Sequence, residues 1–229
     1  MPLRAVVFDF DGVIADTEPL HLKAAQRVLA GAGMRLDATA YYERYLGFDD
    51  AGLFRALATD IGVDLDAKSV ATLVEDKSRV LESLIDDGSV LFAGIRDCIE
   101  RCAAHVPLAI ASGALAHEVD YILRRTGLRH VFQAVVGAGD TPRSKPEPDP
   151  YARAVELLRV GSLQDLEPAQ CVAIEDSPWG LQSARSAGLR CVAVAHTYSA
   201  AKLREEAVAD FIAESLGDIT IERLQQLCA

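Results

Sequence analysis

The sequence predicts an α/β fold: a doubly wound parallel sheet interrupted by an inserted α-helical module. Three observations carry this reading. Short apolar runs recur along the chain, each closed by a polar residue or a glycine. Helical patterns separate these runs from about residue 94 onward. One stretch, from about Thr17 to Gly88, holds helical patterns alone.

The apolar runs are Ala5-Val6-Val7-Phe8 before Asp9, Leu108-Ala109-Ile110-Ala111 before Ser112, and Ala134-Val135-Val136 before Gly137. Val172-Ala173-Ile174 before Glu175 follows, and Cys191-Val192-Ala193-Val194 is the last clear one. Runs of this length without alternation suit strands buried on both faces. Helices are expected over 94–105 (Ile95, Ile99, Cys102), 116–126 (Val119, Ile122, Leu123) and 149–160 (Tyr151, Ala154, Val155, Leu158). Strands alternating with helices imply a parallel sheet. The inserted module shows Leu22-Ala25-Val28-Leu29, Leu53-Leu57, and Val70-Leu73-Val74 continuing to Leu81, Leu84 and Ile85. Its breaks fall at Gly31, Gly33, Gly47, Gly62 and Asp86-Asp87-Gly88. The expected domains are therefore 1–16 with 88–229, and 17–87.

With 229 residues, half of them hydrophobic and a quarter charged, the composition is that of an ordinary globular chain. A net charge of −11 argues against nucleic acid or an anionic membrane as partner, because both select basic surfaces. No apolar run approaches the roughly 20 residues of a membrane helix, and the start of the chain does not read as a signal peptide. Five scattered cysteines form no metal spacing; they read as small buried apolar residues in a reducing, cytoplasmic setting.

In open parallel sheets, ligands bind beyond the carboxyl ends of the strands. The residues expected on that rim are Asp9, Asp11, Ser112, Gly113, Glu175 and Asp176. Asp9-Phe10-Asp11-Gly12 is the sharpest motif. One carboxylate there can act as a nucleophile and form an acyl phosphate. The other can protonate a leaving oxygen and then serve as a base toward water. Gly12 allows a tight turn. The bland alternative is a solvated acidic turn. Ser112-Gly113, read as a helix start, offers a hydroxyl and backbone N–H groups to phosphate oxygens; read alone it is an N-cap. Lys145 sits among Pro146, Pro148 and Pro150, where a held ammonium could neutralise both Asp9 and a phosphoryl group; otherwise it is a solvated loop lysine. Glu175-Asp176 precede Ser177, an N-cap with Pro178 at the first helical position. Adjacent carboxylates at that point suit Mg²⁺, or else only complement the helix dipole.

Four segments resemble the haloacid dehalogenase superfamily, subclass I, in the branch of β-phosphoglucomutase and phosphoglycolate phosphatase. They are Asp9-Phe10-Asp11-Gly12-Val13-Ile14, Ala111-Ser112-Gly113, Lys145-Pro146-Glu147-Pro148-Asp149 and Ile174-Glu175-Asp176-Ser177. Asp16-Thr17-Glu18-Pro19-Leu20-His21 resembles the first cap linker of that branch. The resemblance implies a Rossmann-like core and a helical cap. It implies Asp9 as nucleophile and metal ligand, and Asp11 as general acid/base that also binds metal through its carbonyl. Ser112 and Gly113 would hold the phosphoryl group, and Lys145 would balance charge. Asp176 would ligate Mg²⁺, with Glu175 as a ligand or its support.

The expected activity is Mg²⁺-dependent hydrolysis of a small phosphorylated metabolite through an aspartyl phosphate. A sugar phosphomutase is the alternative. The mutase-like members carry an arginine shortly after a cap glycine; here the stretch after Gly47 reads Phe48-Asp49-Asp50, with no arginine before Arg55. That departure favours hydrolysis, although Asp49 and Asp50 also suit the cap of a helix beginning near Ala51, and Lys77 or Arg55 remain available to a substrate. His21 is a candidate for assisting proton transfer or substrate binding; Trp179 reads as packing. A phospho-aspartate receiver or a binding module has no need of the insert or of Asp11. Oligomeric state is left open, a monomer being sufficient.

Overall fold

A computed structural model of the chain describes residues 1–46, 48–85, 90–160, 163–206 and 208–229. The chain divides into two compact units, Met1–Asp16 with Val90–Ala229, and Thr17–Ser89. The expected boundary between 87 and 88, and the breaks at Gly47 and Asp86-Asp87-Gly88, lie outside the described residues.

The first unit is built on six strands: β1 (Ala5–Phe8), β2 (Leu108–Leu115), β3 (Phe132–Ala138), β4 (Cys171–Glu175), β5 (Arg190–Val194) and β6 (Phe211–Ala213). All five pairings among the described residues are parallel, in the order β3-β2-β1-β4-β5-β6. This is the doubly wound α/β arrangement that the apolar runs predict. β1 lies between β2 and β4, so the chain winds outward to one side of β1 and then to the other. Val6, Val7 and Phe8 are fully buried, as are Leu108, Ile110, Val172 and Ile174, which explains the missing polar alternation. β6 escapes sequence reading because three residues at a sheet edge carry too little pattern.

Beyond Ala111 the structure departs from expectation. Ser112 and Gly113 do not start a helix; β2 runs on to Leu115, which pairs with Ala138 of β3 across an irregular register. The helix itself begins at Ala116, as the 116–126 pattern predicts, with Leu115 at the N-cap position and no side chain capping it.

The second unit contains α1 (Glu18–Gly31), α2 (Ala38–Ala40), α3 (Asp50–Asp60) and α4 (Ala67–Leu84), with a π-helical turn over Tyr41–Tyr45. Asp49 caps α3 by accepting from Gly52 N at 2.6 Å, and Asp66 caps α4 by accepting from Ser69 N at 2.7 Å. Leu22, Leu29, Tyr45, Phe54, Leu57 and Leu73 form its core. The buried stripe of α4 reads Val70, Leu73, Lys77, Leu81, so a lysine stands where helical periodicity calls for an apolar residue.

The remaining helices belong to the first unit: α5 (Ile95–Ala103), α6 (Ala116–Arg125), α7 (Asp149–Val160), α8 (Pro178–Ser186), α9 (Ala200–Glu205) and α10 (Ile221–Leu227). All five cysteines are buried free thiols. Trp179, expected to be packed, is half exposed and meets Tyr198 edge-on at 6.2 Å.

Candidate active site

Because the sheet is parallel, every strand delivers its C-terminal residue to the same rim. Phe8 pairs with Ile110 on one side and Ile174 on the other. Asp9, one residue beyond, is therefore level with Glu175 of β4, and Asp9 N donates to Ile174 O at 2.9 Å. Ser112 follows on β2, buried, its hydroxyl accepting from Ala114 N at 3.0 Å. Gly113 is exposed next to it. The topology thus gathers the rim residues at the point where the winding reverses.

Asp9, Glu175 and Asp176 are buried and each offers a carboxylate oxygen within 4.8 Å of the others. Lys145 crosses this group. Its Nζ donates to Asp9 Oδ1 at 2.7 Å and to Glu175 Oε1 at 2.6 Å, and it sits 5.1 Å from the centre of the Tyr151 ring. Burial pushes the Asp9 carboxyl up to about 8, with Glu175 adding repulsion and Lys145 opposing it. Burial and the same neighbouring carboxylates hold Asp176 well above the usual range. Burial alone would lower Lys145, but Asp9 and Glu175 outweigh it and raise the ammonium. Burial would likewise raise Glu175, yet Lys145 and the Ser177 donors bring it below its ordinary value.

Glu175 is the best satisfied member. Its Oε1 accepts from Lys145 and from the Tyr151 hydroxyl at 3.3 Å, while Oε2 accepts from Asp176 N, Ser177 N and Ser177 Oγ at 2.8–2.9 Å. Ser177 also accepts from Gly180 N at 3.1 Å, forming the N-cap expected from Ser177-Pro178. Asp11 is half-buried in the turn after β1. Phe10 O accepts from the amides of Val13, Ile14 and Ala15 to close that turn. Gly12 takes φ +83°, and a Cβ there would lie 1.9 Å from Asp176 Oδ2, so the turn needs glycine for conformation and for space.

A second polar cluster lies within the helical unit. Lys77 Nζ donates to both Asp50 oxygens at 2.7 and 2.8 Å and to His21 Nδ1 at 2.5 Å. The lysine is buried with only 1% exposure. An ammonium can only donate, so His21 carries its own proton on Nε2. Burial, then Lys77, lower His21 to about 3 and keep it neutral. Tyr41 donates to Glu18 beside this group.

The DxD turn after β1, Ser112 within β2, the buried lysine and the acidic pair at the end of β4 all fall inside the span of one family match. A family model described as haloacid dehalogenase-like hydrolase matches residues 6–194. The chain belongs to the haloacid dehalogenase-like hydrolase family. Within that family it is 32% identical over 189 residues to fructose-1-phosphate phosphatase YqaB of Escherichia coli, covering 82% of this chain and 95% of the relative. It is 30% identical over 211 residues to the phosphorylated carbohydrates phosphatase of Thermotoga maritima, covering 90% and 91%. The solved structure of a CbbY variant from Rhodobacter sphaeroides with xylulose-(1,5)bisphosphate is similar at TM-score 0.82 and 28% identity, covering 95% of this chain and 96% of that one.

Sequence reading missed three participants. Tyr151 reads as one of the apolar-face residues of the 149–160 helix, and its hydroxyl gives no separate signal in the sequence. His196 and Thr197 follow β5 without a recognisable motif. Their position just past a strand end on the same rim is the one clue that was available.

Proposed function

We propose that this hydrolase is a Mg²⁺-dependent phosphatase of small phosphorylated sugars, acting through an aspartyl phosphate on Asp9. The observation that carries the reading is the Lys145 bridge between Asp9 and Glu175 in a buried acidic cluster at the winding reversal.

The residues fit a divalent cation. Three clustered carboxylates face a single ammonium, and the raised Asp9 and Asp176 carboxyls mark the need for further positive charge before all three can ionise; the donors are all hard oxygens. Asp9, Asp176 and the Asp11 carbonyl would hold the ion. Glu175, with both oxygens already engaged, fits the role of anchoring Lys145. Bound Mg²⁺ supplies charge neutralisation for an incoming phosphate dianion.

In the first step an Asp9 carboxylate oxygen bonds to phosphorus as the ester P–O bond breaks, and Asp11 gives its proton to the departing alkoxide. In the second, Asp11 takes a proton from water, the oxygen attacks phosphorus, and the bond to Asp9 breaks to release phosphate. Lys145 holds the attacking carboxylate in place and offsets charge on the transferring group. Ser112 and the Gly113 amide would bind its oxygens.

Hydrolysis is favoured over phosphoryl transfer to a sugar by the helical unit. Asp49 is committed to capping α3, and Asp50 engages Lys77 with both oxygens. Lys77 therefore brings little net positive charge for a second phosphate. The test is a screen of fructose 1-phosphate, hexitol phosphates, phosphoglycolate and β-glucose 1-phosphate with and without Mg²⁺. Release of inorganic phosphate, abolished by chelation, is expected. Isomerised sugar phosphate without free phosphate would establish the mutase instead.

A further inference from the structure

The turn carrying Asp11 and Gly12 has a second support that the chemistry above does not use. After β5 the chain runs Ala195-His196-Thr197-Tyr198 over the rim, pinned by Ala195 N to Ala213 O at 3.0 Å and by His196 N to Val194 O at 2.9 Å. The His196 ring lies flat on Phe92, 4.1 Å between centroids and 16° from parallel. Its Nδ1 reaches Gly12 O at 2.8 Å. A carbonyl can only accept, so Nδ1 carries the proton and the tautomer is fixed.

Gly12 is the residue whose Cα faces Asp176 so closely that no side chain fits between them. The hydroxyl of Thr197, the next residue along, lies close enough to the Asp176 carboxylate to oppose the effect of its burial. One short loop therefore touches the acidic site twice, once through a backbone carbonyl and once through a carboxylate. Phe92, on which the ring rests, donates its N–H to Ile14 O at 3.1 Å, so the same histidine is braced on the segment that leaves the DxD turn.

We infer that His196 and Thr197 are positioning residues for the divalent-cation site, His196 fixing the Gly12 turn and Thr197 orienting the Asp176 carboxylate. The inference rests on the proposed Mg²⁺ site. Partners that orient a metal-binding carboxylate typically change metal affinity about 10- to 100-fold when removed. Neither residue needs to touch the substrate for this.

The experiment is calorimetric Mg²⁺ titration of the chelator-stripped full chain, with melting temperature recorded in EDTA. Thr197→Val keeps the shape and loses the hydroxyl; Thr197→Ser keeps the hydroxyl. His196→Phe keeps the stack on Phe92 and loses the donor; His196→Asn places an amide N–H close to where Nδ1 stood. Expected are Mg²⁺ affinities about 10- to 100-fold weaker for Thr197→Val and His196→Phe, with Thr197→Ser and His196→Asn close to wild type and melting in EDTA unchanged for Thr197→Val. Wild-type binding with equal affinity in Thr197→Val and His196→Phe overturns the inference alone. So does a Thr197→Ser variant as weak as Thr197→Val. A wild-type chain that takes up no Mg²⁺ overturns the metal reading and this inference together. Thr197→Val, being nearly isosteric, decides the matter for Thr197 even if a His196 variant does not fold.

Discussion

Asp9 and Lys145 lie 136 positions apart in sequence and 2.7 Å apart in space. Replacing Asp9 with Asn removes the nucleophile but keeps the volume; turnover is expected to fall by about a thousandfold or more while the melting temperature stays near wild type. Retained turnover in that variant would end the aspartyl-phosphate proposal. Lys145→Met leaves two buried carboxylates without their ammonium, and such uncompensated charge typically costs about 3–5 kcal/mol; denaturant unfolding reads it. His21 offers a test by pH. Its folded-state value, near 3, lies below the ordinary 6.5, so the unfolded chain binds the extra proton first. The histidine costs nothing above pH 6.5 and lowers stability as pH falls from 6.5 toward 3. His21→Asn should flatten the stability–pH slope in that window by up to about 1.4 kcal/mol per pH unit, measured by urea unfolding at pH 4 to 7. An unchanged slope would show that His21 is not held neutral.

At the scale of elements, the strands were legible because parallel strands buried on both faces are written as unbroken apolar runs, and Asp9, Ser112 and Glu175 stand directly after such runs. The place of Ser112-Gly113 was not: they carry the composition of a cap, yet pairing with β3 keeps the chain in the sheet to Leu115, one residue before the helix that the 116–126 pattern predicts. From its charge alone, Lys77 reads as a group available to a substrate. What it does in α4 depends on Asp50 and His21, which helical spacing within one element does not reveal. Ser177 joins two elements, capping α8 and donating to Glu175. Ser177→Ala is expected to lose about 1–2 kcal/mol, read by thermal unfolding, and Ser177→Thr should recover most of it. Equal loss in both would point to packing rather than to the hydroxyl.

For the whole molecule, the order β3-β2-β1-β4-β5-β6 explains why residues from five separate segments meet at one rim. The insert shows itself in the sequence as a stretch whose period never switches to that of a strand. The local partners of its polar residues could not be read, because they depend on tertiary packing. Asp16 N bonds to Val90 O at 2.7 Å and Ala15 bridges to Leu91, so the chain leaves and re-enters the first unit at one place. A chain with residues 17–89 replaced by a short Gly/Ser linker is therefore expected to melt cooperatively and to gain stability from Mg²⁺. A non-cooperative melt with no response to Mg²⁺ would count against both points.

That doorway also bears on the order in which the protein folds. β1, ending at Phe8, must find β2, beginning at Leu108, across the whole of residues 9–107, most of them belonging to the helical unit. If the helices condense first, the two ends of their segment are drawn together, and the loop closed by β1–β2 pairing shrinks from about 100 residues to an effective length of about 27. The logarithmic cost of loop closure then falls by about 1.2 kcal/mol, or about sevenfold in closure probability. The insert that interrupts the sheet in sequence thereby helps to assemble it in time.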